Sequence, residues 1–512
     1  MTASLASGKA PVAKHDVARG AATVALSRLG AVIEVITQPI YTWLFGIPAY
    51  GLYVVAWSTV NLAENILDLA FTSALQRLVP RADNEEHVHS LLKLALLIGV
   101  LPSIGVALGV CLAAEPLSRL LNAAPEDREQ LALAIGLFAW ALPLWTFIEI
   151  ATSAVRARHA FGPEIRLRLF WEQIVRLAIA LLAFGAGFGL LGLFVAHFVS
   201  LAVTAALSLR LVGRYYDLRL LYCSPISRAH ARALLGYGLA LLPGNIIRRA
   251  LSDLPPVVLN TMLPGASGAT AAGLYGIARK VSTLPQIVRQ TFSYVLAPLA
   301  ATQARHDISA IQPLYIFATR LSVALVIPIS AALILLGNPI LSLFAPEATQ
   351  ALPLLIVLVA GRTIEAGIGP AGPVLDILGH RKWLLANSAS GFLTWLVLST
   401  LLVERYGGLG MAFAVSGGIV VPALLALVQL RVANRLNVFS LRLIGGIGAG
   451  LASAAVLALI DRFARPFGSW IESAVVLLLL PAALWIGLRL GLSTSDRKAL
   501  GGLAVRLRLL KV

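Results

Sequence analysis

The sequence predicts an all-α integral membrane protein of about fourteen transmembrane helices, built as two pseudo-symmetric six-helix lobes plus two C-terminal helices around a central cationic cavity. Three observations predict it. The first is composition. Apolar residues make up 58% of the chain and charged residues 13%, where a soluble domain carries about 25% charged residues. The second is length: 512 residues, at ~30–35 per span and its loop, accommodate about fourteen crossings. The third is where the positive charge falls once those crossings are placed.

Apolar runs place spans at 20–46, 50–75, 90–114, 130–155, 167–187, 189–210, 233–262, 271–300, 313–337, 350–379, 383–403, 407–430, 441–460 and 470–489. The chain then divides into a polar N-terminal tail (1–19), an N-lobe of six spans (20–212), a C-lobe of six (231–432), two further spans (440–490) and a basic tail (491–512). Residues 1–19 lack the short apolar core and cleavage site of a signal peptide, so the first span is expected to direct its own insertion. With the N-terminus and every second loop assigned to one side, only Arg119, Arg128, Arg405, Arg462 and Arg465 fall on the other. Lysine and arginine accumulate in cytoplasmic loops, so both termini are expected to be cytoplasmic.

The net charge of +17 and pI of about 10.4 would suggest nucleic acid in a soluble protein. Here the charge sits in short loops and reports topology, so no nucleic-acid partner is expected. Cys111 and Cys223 are assigned to opposite sides, which excludes a disulfide framework. The histidines are scattered, His197 alone lying in a span, and form no metal-spaced cluster; neither a metal nor a cofactor is expected. There is no GxxxxGK[ST] phosphate loop, so ATP is not the direct energy source. Uptake of H⁺ or Na⁺, or the membrane potential, remains open as the drive.

A weak internal repeat relates the two lobes. The first hairpin reads QPIYTWLFGIPAYGLYVVAW (Gln38–Trp57), and PPVVLNTMLPGASGATAAGLYGIAR (Pro255–Arg279) repeats its order: a proline, a short Pro/Gly turn, then GLY opening the return helix. FTSALQRLVP (Phe71–Pro80) and FSYVLAPLA (Phe292–Ala300) follow at similar distances. Repeats of like topology are related by an axis along the membrane normal, with the cargo site between them. The YGLY hairpin (Tyr50–Tyr53), the acidic helix ending LDLAFTSALQR (Leu67–Arg77) and GLYGIARKVSTLPQIVRQTFSYVLAP (Gly273–Pro298) resemble the polysaccharide-export branch of the multidrug/oligosaccharidyl-lipid/polysaccharide flippase superfamily. That branch includes the O-antigen and exopolysaccharide flippases and, more distantly, the lipid II flippase. The resemblance covers about 20–490. It implies two six-helix lobes, alternating access, a polyprenyl-linked sugar as substrate and the bacterial inner membrane as location.

Charges inside the spans mark the candidate site, because an ionised group in a membrane costs at least ~2.5–3.5 kcal/mol. Five cations, Arg248, Arg249, Arg279, Lys280 and Arg289, face one acid, Asp253, on the seventh and eighth spans. Arg279, Ser282, Thr283, Gln286, Arg289, Gln290 and Ser293 recur at helical spacing, so one face is polar. Arg248, Arg279, Lys280 and Arg289 are candidate diphosphate ligands, with Arg28 a further one, since a guanidinium donates two hydrogen bonds to phosphate oxygens. The alternative is a structural network with carboxylates of other helices. Arg249 and Asp253 are four apart and are expected to pair. Pro243-Gly244 and Pro255-Pro256 are expected to interrupt their helix. Glu34, Glu64 and Asp68 on the first two spans are candidate gating or ion-coupling acids, either opposing the arginines or held in a static network, and Arg249, Asp253, Arg362 and Glu365 are further candidates for that role. Arg362 and Glu365 are three apart, and the GIGPAGP that follows (Gly367–Pro373) must bend or break its helix. Glu172 and Arg176 are expected to pair; Glu149 has no evident partner.

The expected function is therefore to flip a polyprenyl-diphosphate-linked oligosaccharide, a polysaccharide repeat unit, from the cytoplasmic to the outer leaflet, without bond making. Expected partners are that anionic lipid-linked glycan, membrane lipids, a polysaccharide polymerase with its assembly proteins, and H⁺ or Na⁺. A drug/cation antiporter of the same superfamily is the alternative, but it would need an acidic cavity. A membrane glycosyltransferase or polymerase would need larger external loops.

Overall fold

The computed structural model describes residues 14–160, 162–288, 311–436 and 441–499 with positions 505, 508 and 509, and its side-chain detail begins at Thr37. Among these residues every regular element is helical. In chain order they are α1 (Lys14–Leu67), α2 (Phe71–Leu78), α3 (Glu85–Leu112), α4 (Ala114–Leu120), α5 (Pro125–Ala139), α6 (Ala141–Ala157) and α7 (Gly162–Ile165). A π-helical turn, Arg166–Trp171, leads into α8 (Glu172–Gly185), followed by α9 (Leu190–Tyr215), α10 (Leu218–Cys223), α11 (Arg228–Met262) and α12 (Ala266–Val281). The rest comprises α13 (Ile311–Leu335), α14 (Gly337–Ser342), α15 (Leu352–Ile368), α16 (Ala371–Ile377), α17 (Arg381–Asn434), α18 (Leu441–Ala464), α19 (Ser469–Gly491) and α20 (Thr494–Ala499).

Among the described residues, 9 helices are long and apolar enough to cross a membrane. One of them, α17, has 54 residues. A straight helix of that length would extend ~80 Å, well beyond the ~30 Å hydrocarbon core. Gly407 (φ 52°) breaks it, and the chain doubles back. A Cβ on Gly410 would lie 2.3 Å from the Leu402 carbonyl oxygen, and one on Gly391 2.5 Å from that of Gly418. Deeper along the hairpin, the Asn387 and Gln429 amides exchange hydrogen bonds of 2.7 and 2.8 Å. This side-chain bridge suits a medium without water. Gly46 (φ 80°) interrupts α1 in the same way.

The chain forms two compact units. One contains the segment up to Leu44, Ile66–Ala114 and Leu133–Ala240; the other contains Phe45–Asn65, Glu115–Ala132 and Leu241–Val512. The first is built around Phe71, Leu75, Leu91, Ile150, Val212 and Tyr216. Its α3 starts where Asn84 Oδ1 accepts from the His87 N–H at 2.8 Å, with Glu85 and Glu86 in the first turn, a cap contributing about 1 kcal/mol. In the second unit, α18 and α19 pack on each other and on α13. There the buried Arg320 donates to the Gly491 carbonyl at 2.6 Å and to Asp496.

Several expectations about individual helices are corrected. The second span does not run unbroken from 50 to 75: α1 stops at Leu67, and Leu69 and Ala70 take left-handed backbone before α2. Asp68 compensates for the break by accepting from the Thr72 hydroxyl at 2.9 Å and the Thr72 N–H at 3.3 Å. Conversely, α11 continues through Pro243, Pro255 and Pro256, which were expected to interrupt it; packed helices tolerate the lost N–H bonds. The eighth span ends a first helix at Val281, with Ser282 as its C-terminal cap. In the tenth, the expected break occurs at Gly369 (φ 79°).

Candidate functional site

The charged groups of α11 and α12 meet in the second unit. Asp253, 2% exposed, lies between two guanidinium groups. Arg249 Nε, one turn earlier on α11, is 3.3 Å from Oδ2, and Arg279 Nη2, from α12, is 3.4 Å from Oδ1. The i,i+4 spacing read from the sequence thus yields the expected pair, and a second arginine joins it. Arg279 also donates from Nη1 to the Ser252 carbonyl. One carboxylate therefore orders both helices but balances only one of its two cations.

Arg248 points elsewhere. Its side chain is exposed, and Nη2 donates to Asn245 Oδ1. No carboxylate pairs with it among the described residues. Lys280 follows Arg279 in the last turn of α12 and is half-buried. The end of a helix leaves carbonyl oxygens unpaired and carries partial negative charge, which favours cations there. The hydroxyls of Ser282 and Thr283 donate to the carbonyls of Arg279 and Lys280 at 2.8 and 2.6 Å. These small caps help hold the two cations at the helix end. The buried Tyr275 phenol, one turn before Arg279, lies within electrostatic reach of Asp253, Arg279 and Arg362. Arg362 pairs with Glu365, three residues on, at 3.4 Å on α15. The structure thus brings Arg249, Asp253, Arg279, Arg362 and Glu365 into one neighbourhood.

Glu64 is buried on α1, within the second unit. Asp68 belongs to the first unit, and its hydrogen bonds go to Thr72. There it serves as the cap of a helix break. Arg28 and Glu34 lie on α1 ahead of the described side chains, and Arg289, with Gln290 and Ser293, lies outside the described residues.

Sequence reasoning missed two groups. Glu149 has a partner: Arg168 Nη2 reaches it at 2.7 Å and stacks over the Trp145 ring at 4.5 Å. Arg168 also approaches Glu164 at 3.5 Å, and Arg156 reaches Glu164 at 3.1 Å. Glu172 and Arg176 pair as expected, both buried. The second group is Asn122 and Asn260. Asn122 N–H donates to Asn260 Oδ1 (3.0 Å), Asn122 Nδ2 to the Asn260 carbonyl (2.8 Å), and Asn260 Nδ2 to the Asn122 carbonyl (2.7 Å). Only Glu164 and Arg168 stand four apart; Arg168 with Glu149 and Asn122 with Asn260 are far apart in the chain, and nothing in local spacing announces them.

Comparison with known proteins adds the context. The family described as "Polysaccharide biosynthesis protein" matches residues 17–304. The Bacillus subtilis (strain 168) "Uncharacterized membrane protein YabM" is 23% identical over 474 residues, covering 87% of this chain and 86% of that one. Among solved structures, the lipid II flippase MurJ in an inward closed conformation superposes with a TM-score of 0.72 at 13% identity, over 91% of this chain and 98% of that one. An inward-facing multidrug resistance MATE family transporter of the MOP superfamily gives 0.65 at 15% identity, over 78% and 94%. A MOP superfamily transporter from Pyrococcus furiosus, described as having a binding pocket of reversed polarity, gives 0.57 at 14% identity, over 80% and 95%. At these identities the likeness is one of fold.

Proposed function

The chain belongs to the polysaccharide biosynthesis protein family, and from that premise we propose that it flips a polyprenyl-diphosphate-linked oligosaccharide between leaflets of the bacterial inner membrane by alternating access. The observation that carries this reading is the cation surplus around Asp253. Arg249 and Arg279 share one carboxylate, and Arg248 has no acidic partner among the described residues. A diphosphate supplies the missing negative charge, and its oxygens match a guanidinium's paired donors. Arg248, Arg279 and Lys280 would hold the diphosphate, with Arg28 and Arg289 as further contacts, the glycan in the polar cavity and the prenyl chain in lipid. Glu34, Glu64, Arg362 and Glu365 are the groups through which an H⁺ or Na⁺ gradient would act. The reading keeps both termini cytoplasmic, places polymerase and assembly proteins downstream, and involves no bond making.

The test is transfer of a fluorescent polyprenyl-diphosphate sugar in proteoliposomes, with parent, Arg248→Ala and Arg279→Ala reconstituted at equal density. Protein-dependent flipping lost in both variants supports the anionic site. Flipping retained in both assigns the arginines to structure. A parent that exports cationic dyes and flips nothing replaces this reading with the antiporter.

A further inference from the structure

A second cationic site, made of residues other than those assigned to the diphosphate, lies in the first unit. The π-helical turn Arg166–Trp171 and the last two turns of α9 line an open cavity of about 230 Å³. Arg166, Arg210 and Arg214 rim it, and Leu167, Trp171 and Leu207 contribute to an otherwise apolar lining. Leu207, Arg210 and Arg214 share one face of α9 through their three- and four-residue spacing.

The three arginines are exposed, and no carboxylate pairs with them among the described residues. Nearby acids are committed elsewhere: Glu149 and Glu164 to Arg168 and Arg156, and Glu172 to Arg176. Asp217, just beyond α9, accepts from the backbone N–H groups of Arg219 and Leu220. The charge on this rim thus lacks an internal counter-ion. The apolar side is equally open. Trp171 is 51% exposed, and Phe170, whose ring meets it edge-on, and Leu209 on α9 are also exposed. Exposed aromatic residues at the end of membrane helices mark the headgroup level, and the charge distribution of the loops assigns this end to the cytoplasm.

We infer that this cavity binds an anionic glycerophospholipid of the cytoplasmic leaflet, its phosphate on Arg166, Arg210 and Arg214 and its first acyl carbons against Leu167, Trp171 and Leu207. A free phosphate would use only the rim and a neutral lipid only the walls; an anionic lipid uses both. A basic residue near an anionic membrane surface contributes ~1 kcal/mol, or roughly fivefold in affinity. Loss of two should therefore weaken binding more than tenfold.

The experiment titrates the full-length protein, in a neutral detergent, with phosphatidylglycerol carrying brominated acyl chains. The readout is the Trp171 share of fluorescence quenching, taken as parent minus Trp171→Phe. The expected result is saturable quenching whose midpoint rises more than tenfold in Arg210→Gln/Arg214→Gln. Brominated phosphatidylcholine should quench weakly, and inorganic phosphate should not displace the lipid. Arg166→Gln, on a different element, should show the same direction of change and serves as an independent variant if the double one unfolds. Equal quenching by phosphatidylcholine, or a midpoint unchanged by the arginine substitutions, would reduce the cavity to ordinary lipid contact and overturn the inference. Displacement by inorganic phosphate would make it a simple anion site. Preferential displacement by a polyprenyl diphosphate would make it part of the transport route. Either outcome also overturns it.

Discussion

Gly51 and Gly273 pack against each other, and each is the first residue of a GLY motif in the internal repeat. A Cβ on Gly51 would lie 1.9 Å from the Ala269 carbonyl oxygen and 2.9 Å from Gly273 N; one on Gly273 would lie 2.6 Å from the Ile47 carbonyl oxygen and 3.3 Å from Gly51 Cα. Ile47 precedes Gly51 by the same four positions that separate Ala269 from Gly273, so the contact is reciprocal. Small residues allow such backbone proximity between membrane helices.

Substitution at this crossing should be costly. The atoms in the way are backbone, which cannot rotate aside. Gly51→Ala and Gly273→Ala are each expected to destabilise by at least the ~1–3 kcal/mol typical of overpacking. Gly105→Ala is the control, since a Cβ there meets nothing within 4 Å. Thermal unfolding in detergent should rank both crossing variants well below that control.

The Asn122–Asn260 exchange ties the segment before α5 to the last turn of α11. If transport requires these segments to part, a covalent link between them should stop it. In a chain carrying Cys111→Ser and Cys223→Ser, Asn122→Cys/Asn260→Cys is expected to lose flipping on oxidation and regain it on reduction. Oxidised protein that still flips would show that the two segments stay together through the cycle.

Asp253→Asn separates pairing from ligand attraction. Losing the shared carboxylate should destabilise the protein by an amount between the ~1 kcal/mol of surface pairs and the ~3–5 kcal/mol of buried ones, because both arginines are about a third exposed. The same change leaves Arg249 and Arg279 without their counter-ion. Affinity for a polyprenyl diphosphate is therefore expected to rise while unfolding temperature falls. A drop in both would identify the triad as scaffold.

His230 predicts a pH effect. Its Nδ1 is 2.8 Å from Ser90 Oγ, and its ring stacks on His87 at 3.9 Å. Burial, and then the neighbouring His87, lower its proton affinity below the ordinary histidine value, with Glu86 acting in the other direction; Asp83 lies 3.9 Å from His87. The unfolded chain thus takes up this proton first, so the site's stability falls as pH drops below about 6.5. His230→Gln should narrow the difference in unfolding temperature between pH 7 and pH 5.

Much of this arrangement was legible in local spacing. Arg249–Asp253, Glu172–Arg176 and Arg362–Glu365 stand three or four apart, and a helix brings such residues together wherever it packs. The break at Gly369 could be read from GIGPAGP because glycine and proline end a helix through their own local backbone chemistry. Arg279 joining Asp253, Arg168 reaching Glu149, and Asn122 meeting Asn260 depend on which helices are neighbours, and a single sequence does not encode that in any short interval. The prolines of α11 misled in the opposite direction. Their local cost is real, but the helix remains continuous.

The reversal at Gly407 has a consequence for biogenesis. The turn between the two arms of α17 is tight, so the polar chain that must be carried across the bilayer when the hairpin enters it is short, little more than Glu404 and Arg405 beside Gly407. Both arms can leave the insertion machinery together, with the Asn387 and Gln429 amides already satisfying each other before any other helix arrives. Such a hairpin is a unit of assembly as well as of structure.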